Sequence, residues 1–229
     1  MTYDVKEEYA KHFLSYKDIS YPSEYVIRIF KGNYPNLNLN EDSFANKKIL
    51  DMGCGDGRNI VFLKRCGFKV YGAEISREIV DKMKSNLHKQ GIDRIKITVS
   101  TNDDISFSDE YFDYLLSWNA CYYMQNRRNF NAYVKEFARI LKPDGYLVLS
   151  IPKKTCFIFK DSEKMSPGYR IIKNDYFSAR NGEVFRVFNG EQEIKKTFSK
   201  YFKNFVFGSV YDDCFGLNYH WHMVVCQRK

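Results

Sequence analysis

Leu50-Asp51-Met52-Gly53-Cys54-Gly55-Asp56-Gly57-Arg58 decides the fold of this 229-residue chain. The run Lys48-Ile49-Leu50 before the acid reads as a buried strand. Three glycines follow at G-x-G-x-G spacing, and from Arg58 to Lys64 the apolar Ile60, Val61 and Leu63 resume at helical spacing. Strand, glycine turn and helix in that order build a pocket for a nucleotide-like ligand at the strand's carboxyl end. Glycine is needed where the backbone turns sharply and no Cβ can stand between it and the ligand. A second acid, Glu74, closes the next apolar run (Phe68–Ala73), 21 residues after Gly53. At that distance a carboxylate ending the second strand accepts hydrogen bonds from a ribose.

Dinucleotide sites use G-x-G-x-x-G and seat a pyrophosphate on the helix N-terminus. Here the third glycine comes one residue early, and Asp51 and Asp56 flank the turn. Two carboxylates suit an ammonium or a sulfonium better than a pyrophosphate, which points to S-adenosylmethionine. The chain resembles the class I S-adenosylmethionine-dependent methyltransferases, whose first motif, LDxGCGxGR, it carries almost letter for letter. The resemblance continues in Phe107-Ser108-Asp109-Glu110-Tyr111-Phe112-Asp113 and in Ile140-Leu141-Lys142-Pro143-Asp144-Gly145-Tyr146, the family's LKPGG turn with Asp for the first Gly. It covers residues 45–152 well and the flanks only by layout.

The resemblance implies S-adenosylmethionine as cofactor and methyl transfer as activity. It sets Asp51, Gly53, Cys54, Gly55 and Gly57 at the methionine end and the turn, Arg58 at a frequent arginine position, and Glu74 with Ile75 at the ribose. The family's adenine-binding acid is displaced or replaced, so Asn102 and Asp103 share its place, and Trp118 and Asn119 end the fourth strand beside the sulfonium. Methyl transfer is an in-line displacement from a sulfur that leaves neutral, so positioning and exclusion of water carry most of the work. A base is needed only if the nucleophile must lose a proton.

His220 and His222, alternating with Tyr219, Trp221 and Met223, are the candidate bases, His220 lying nearer the site if the last strand is antiparallel. Tyr122 is a further catalytic candidate. Tyr123 and Tyr25 are expected to wall the acceptor pocket (Tyr16 and Tyr21 are alternatives), and Lys153 and Lys154, directly after the fifth strand, to hold the acceptor. His-x-His lacks a third ligand, so no metal site is expected.

The length fits a single α/β domain. Strands are expected near 47–52, 68–74, 94–100, 112–118 and 145–151, and helices near 58–66, 77–90 and 128–141. This alternation implies a doubly wound, mostly parallel sheet. A helix over Glu191–Phe202 and strands Phe205–Tyr211 and Tyr219–Gln227 follow, and in the resembled family such a hairpin gives the order 3-2-1-4-5-7-6 with the last strand antiparallel. Residues 1–46 form a helical cap (Asp4–Tyr16 and Pro22–Lys31), 47–152 the cofactor core, 153–190 an acceptor lid, and 191–229 the closing helix and hairpin.

No apolar stretch is long enough to span a membrane. The polar N-terminus and six scattered cysteines without C-x-x-C lead us to expect a reduced, cytoplasmic protein, monomeric or homodimeric. The net charge of +8 comes mostly from the last third, where residues 152–229 hold fourteen basic and eight acidic groups. That charge suits a small anionic acceptor, a phosphate-bearing nucleotide or sugar-nucleotide such as a surface-glycan intermediate. A nucleic-acid methyltransferase is the alternative, but Asn119-Ala120-Cys121-Tyr122 lacks the proline of the usual base-methylating box. A non-catalytic cofactor-binding subunit would show an eroded glycine turn or Glu74, and neither is eroded.

Overall fold

A computed structural model describes residues 14–15, 18–37, 39–124 and 129–229. The helix expected over Asp4–Tyr16 lies outside them apart from Leu14 and Ser15. The central strand β1 (Lys48–Met52) is buried on both faces, as a parallel strand covered by helices must be. It pairs in parallel with β2 (Lys69–Glu74) and β4 (Phe112–Ser117). β3 (Ile97–Val99) lies beyond β2, and β5 (Leu141–Pro152) beyond β4. The last two strands, β9 (Phe202–Cys214) and β10 (Leu217–Arg228), complete a seven-stranded sheet of order β3-β2-β1-β4-β5-β10-β9. Only β10 runs against the rest, so its beginning lies at the carboxyl end of β5, with Trp221 opposite Pro152.

Among the described residues five helices follow from the apolar periodicities: α1 (Glu24–Lys31), α2 (Arg58–Arg65), α3 (Arg77–Lys89), α4 (Phe130–Ile140) and α5 (Glu191–Phe198). On one face of the sheet, Phe30, Phe44, Phe68 and Tyr114 form an aromatic cluster, Phe44 and Phe68 stacking at 4.5 Å. On the other, α4 buries Phe130, Tyr133, Val134 and Phe137 against Leu115, Leu147 and Leu149. Among the described residues no helix is long and apolar enough to cross a membrane.

Several boundaries differ from the sequence reading. The third strand is short because Arg94 turns out of extended conformation at φ 63°. The final strands are longer than expected because each continues pairing to the hairpin tip, Leu217 opposite Cys214. Residues 153–190 are a packed unit and not a loose flap: β6 (Glu163–Ser166), β7 (Tyr169–Ile171) and β8 (Val184–Arg186) form a second antiparallel sheet. Its Ile172, Phe185 and Phe188 are fully buried in the main core. Hydrogen bonds from Met124 N to Val184 O (2.8 Å) and from Arg186 N to Tyr122 O (2.9 Å) stitch it to the loop after β4.

The β9–β10 tip places Phe215 (φ 48°) and Gly216 (φ 91°) at the two centre positions, both left-handed, as a two-residue hairpin demands. Phe215 is fully exposed there, so no packing offsets the strain of a bulky residue at positive φ. Phe215→Asn should therefore raise stability by roughly 1 kcal/mol, read as a higher urea midpoint at unchanged slope. An unchanged or lower midpoint would show that the tip is not strained.

Candidate active site

At the carboxyl end of β1 the backbone passes through Gly53 (φ 73°), Gly55 (φ 54°) and Gly57 (φ 88°) before α2 begins. A Cβ on Gly53 would lie 2.5 Å from that of Ala120, so the first glycine is dictated by the loop after β4. Gly55 N donates to Glu74 Oε2 (2.9 Å) and Ile75 N to Glu74 Oε1 (2.8 Å), tying the turn to the end of β2. Each carboxylate oxygen retains a second acceptor site. Burial pushes the Glu74 carboxyl up, and these two N–H groups partly offset it.

Asp51 is buried and its Oδ2 has no hydrogen-bond partner. Burial, then the nearby Glu74 and Asp56, push its carboxyl up to about 8. Asp56, expected to face the ligand as well, is engaged otherwise. It accepts hydrogen bonds from Arg58 Nε (2.8 Å), Ser20 N (2.9 Å) and the Ser20 hydroxyl, which fasten the N-terminal segment to the turn. Buried Asn102 donates to Ala120 O (3.3 Å) and leaves its Oδ1 without a partner, while Asp103 accepts from Thr101 Oγ1 (2.7 Å).

Two cavities of about 370 and 350 Å³ open beside the turn and share Ser23, Trp118, Asn119, Tyr123, Arg180 and Tyr219. The first reaches Gly53–Asp56, Arg58 and Asn59. The second is walled by Tyr25, Tyr122, Phe157, Val210, Asp212 and Trp221. Cross-strand pairing explains the second wall: Trp221 stands opposite Val210 and Tyr219 opposite Asp212, so all four share one face of the hairpin. Asn119 holds a left-handed φ of 57° because Ser150 Oγ accepts from its N (2.8 Å) and donates to its Oδ1 (3.0 Å). Arg180 binds both oxygens of buried Asp175 through Nη1 (2.9 and 3.1 Å). Tyr25 donates its phenol proton to Asp212, and burial together with that carboxylate raises the phenol to about 12.

A family model described as "Methyltransferase domain" matches residues 49–145, the segment from β1 to the start of β5 that carries this turn. Residues 49–145 are a methyltransferase domain. The chain is 29% identical over 111 residues to methyltransferase GfsG of Streptomyces halstedii, across 48% of this chain and 39% of that protein. It is 26% identical over 156 residues to the ubiquinone biosynthesis O-methyltransferase of Bartonella bacilliformis, across 67% and 58%. The matches thus span well under two thirds of either relative's length. The fold is shared with PH0226 of Pyrococcus horikoshii (TM-score 0.68, 22% identity, 97% and 99% covered).

The methyltransferase domain's neighbours do not all stand where the sequence reading put them. His220 and His222 alternate with Tyr219 and Trp221 as expected, but it is the aromatic face that lines the cleft. His220 lies on the far face between Thr155 Oγ1 (2.8 Å) and Asp213 Oδ1 (3.1 Å). His222 is buried there, 4.0 Å from Glu191, with burial and then Lys153 lowering it to about 4. Lys153 shares that face, its Nζ donating to Ser209 Oγ (2.9 Å) over the Tyr211 ring, and Lys154 donates to Asn189. Neither lysine lines the cleft. Burial raises the Tyr122 phenol well above its ordinary value, so it is a neutral wall and not a base. In the sequence Arg180 stands out only as one of several bases of the 153–190 segment, and Asp212 not at all. The signal was present in Asp175-x4-Arg180, an ion pair at loop spacing, and in Asp212 one strand across from Tyr219.

Asp51 yields a test with a definite sign. Its carboxyl near 8 is protonated in the free protein at pH 6, and a cationic ligand favours the ionised form. Affinity for S-adenosylhomocysteine should therefore rise between pH 6 and 8, approaching tenfold per unit or about 1.4 kcal/mol, with proton release seen by calorimetry in buffers of different ionisation heat. Asp51→Asn should flatten the profile. A flat profile in the parent protein would place the ligand's charge elsewhere.

Proposed function

We propose that this protein transfers the methyl group of S-adenosylmethionine to a small, ring-bearing acceptor with a nucleophilic hydroxyl. One observation carries the reading: the cavity at the glycine turn and the aromatic cavity are one cleft, joined through Trp118, Asn119, Tyr123, Arg180 and Tyr219. The residues fit the cofactor. The unpartnered Asp51 Oδ2 would take its ammonium, and Asn102 Oδ1 an adenine amino group. Glu74, held by Gly55 and Ile75, would take the ribose through its remaining acceptor sites, with Cys54, Arg58 and Asn119 around the methionine end. S-adenosylmethionine supplies an electrophilic methyl on a cationic sulfur.

The chain's part is positioning and exclusion of water. Aromatic walls from Trp118, Tyr122, Tyr123, Tyr219 and Trp221 suit a flat acceptor, and their faces favour a nearby cation. The cavity volume is that of a small-molecule site. Among the described residues two carboxylates line the aromatic cavity, Glu24 at its N-terminal rim and Asp212, fixed by Tyr25, and we assign Asp212 the hydroxyl proton. A relative named as a ubiquinone biosynthesis O-methyltransferase supports transfer to oxygen. Arg180, already neutralised by Asp175, offers little to a phosphate, so we place any strongly anionic part of the acceptor outside this cavity.

The assay is formation of S-adenosylhomocysteine with a set of catechols and hydroquinones. Asp212→Asn should lower kcat by about 10²–10⁴-fold, the range for loss of a general base. His220→Asn and His222→Asn should stay within about threefold of the parent, because neither touches the cleft. No turnover of any phenolic acceptor, or a larger loss at His222 than at Asp212, would refute the assignment.

A further inference from the structure

Behind Phe157, on the outer side of the 153–190 unit, lies a groove that the methyl-transfer chemistry does not use. It consists of two lobes of about 470 and 360 Å³ that share Lys154, Arg170 and Val187. The first lobe adds Lys160, Thr155 and Asn218, and the second adds Lys164, Ser166 and Asn189. Among the described residues no carboxylate lines either lobe. Of the other cations of this unit, Lys153 donates to Ser209 away from the groove, and three are neutralised: Lys173 by Glu163, Arg180 by Asp175 and Arg186 by Glu193. Among the described residues no ion pair is recorded for Lys154, Lys160, Lys164 or Arg170.

The strand register sharpens the point. Lys164 and Arg170 stand directly opposite one another across β6 and β7. Like charges at opposed antiparallel positions are destabilising, and here no carboxylate lies between them. Arg170 is further fixed by donating through Nη1 to Ser162 O (3.2 Å) and Oγ (2.9 Å), so its guanidinium is held in place. A cluster of four cations without carboxylate partners in a concave surface, two of them held by hydrogen bonds, suits an anion, and its layout indicates which. Lys154 and Arg170 sit where the lobes join, with Lys160 in one lobe and Lys164 in the other.

We propose that this groove binds a diphosphate, one phosphate toward Lys160 and the other toward Lys164, with Lys154 and Arg170 between them. Phe157 is the wall between groove and acceptor cavity, lining both. The diphosphate therefore has two possible sources: the tail of the acceptor itself, or a separate effector. The site stands independently of the proposed methyl acceptor.

The test is calorimetry on the full chain with inorganic pyrophosphate, and on Lys160→Gln/Lys164→Gln, which alters only exposed side chains. Pyrophosphate should bind, with orthophosphate about tenfold weaker or worse, and the double substitution should weaken pyrophosphate by at least about tenfold. S-adenosylhomocysteine affinity should stay within about twofold in the variant, which shows that it is folded and separates this result from the fate of the methyl-transfer reading. Pyrophosphate binding that survives the double substitution, or is matched by orthophosphate, overturns the proposal, as does failure to bind at all.

The chain's two tryptophans, Trp118 and Trp221, both line the acceptor cavity and so report its occupancy. If 1-naphthyl diphosphate binds more tightly than pyrophosphate and shifts their emission, the site is confirmed as the acceptor's own. If it binds equally without an emission change, the site is confirmed as an effector's.

Discussion

The organising constraint of this molecule is the crowding of carboxyl groups at the ends of β1 and β2. Asp51 and Glu74 are both buried, Asp56 lies close by, and each raises the cost of ionising Asp51. The surrounding structure manages that repulsion. Gly55 and Ile75 turn N–H groups toward Glu74, and Arg58 and Ser20 hold Asp56 below the usual carboxylate range. Asp51 keeps one oxygen, Oδ2, without a hydrogen-bond partner, and only the charge of Arg58 offsets its burial. Because its carboxyl titrates higher in the folded than in the unfolded chain, it withdraws stability as pH rises from about 4 to about 8, and a bound cation restores it. The free protein thus carries a built-in preference for a cationic ligand.

The contrast between the two halves of the cleft follows from how far apart their residues lie in the chain. The glycine turn and its two acids, Asp51 and Glu74, come from β1, its turn and the end of β2, all within about 25 consecutive residues. Periodicity and glycine spacing therefore reveal them without any knowledge of tertiary contacts. The aromatic end draws on Tyr25, Tyr122, Phe157, Arg180, Asp212 and Trp221, which meet only through sheet pairing and the packing of the 153–190 unit. Alternation along β10 separates its residues into two faces but carries no mark of which face is inward. The histidines were favoured for their chemistry. The pairing of Trp221 with Val210 and Tyr219 with Asp212, beneath α1, sets the aromatics inward instead. Lys153 follows from the same parity, since its N–H donates to His220 O (2.9 Å) and its side chain takes the histidine face.

The 153–190 unit shows a second limit of reading from sequence. Its mixture of bases and aromatics is plain, yet two of its arginines and one lysine are paired with carboxylates while the four cations of the groove are not, a division made by strand register and turn geometry. Its attachment is equally invisible beforehand. β8 continues its hydrogen bonding onto Tyr122–Met124, so the loop that walls the acceptor cavity is itself an extension of the small sheet. A change in that unit would be felt at the cleft through the backbone and not only through side chains.

The order of strands at the sheet's edge has a consequence for how the protein comes into being. β10 lies between β5 and β9, although it is made after both. During synthesis β9 therefore has no place on the sheet until β10 has emerged and inserted beside β5. Val210 and Asp212 from β9, with Tyr219 and Trp221 from β10, arrive together in that closing event. The turn that grips the cofactor can form long before. A nascent chain would hold the glycine turn without a closed aromatic cavity, and completes the second only when the hairpin locks.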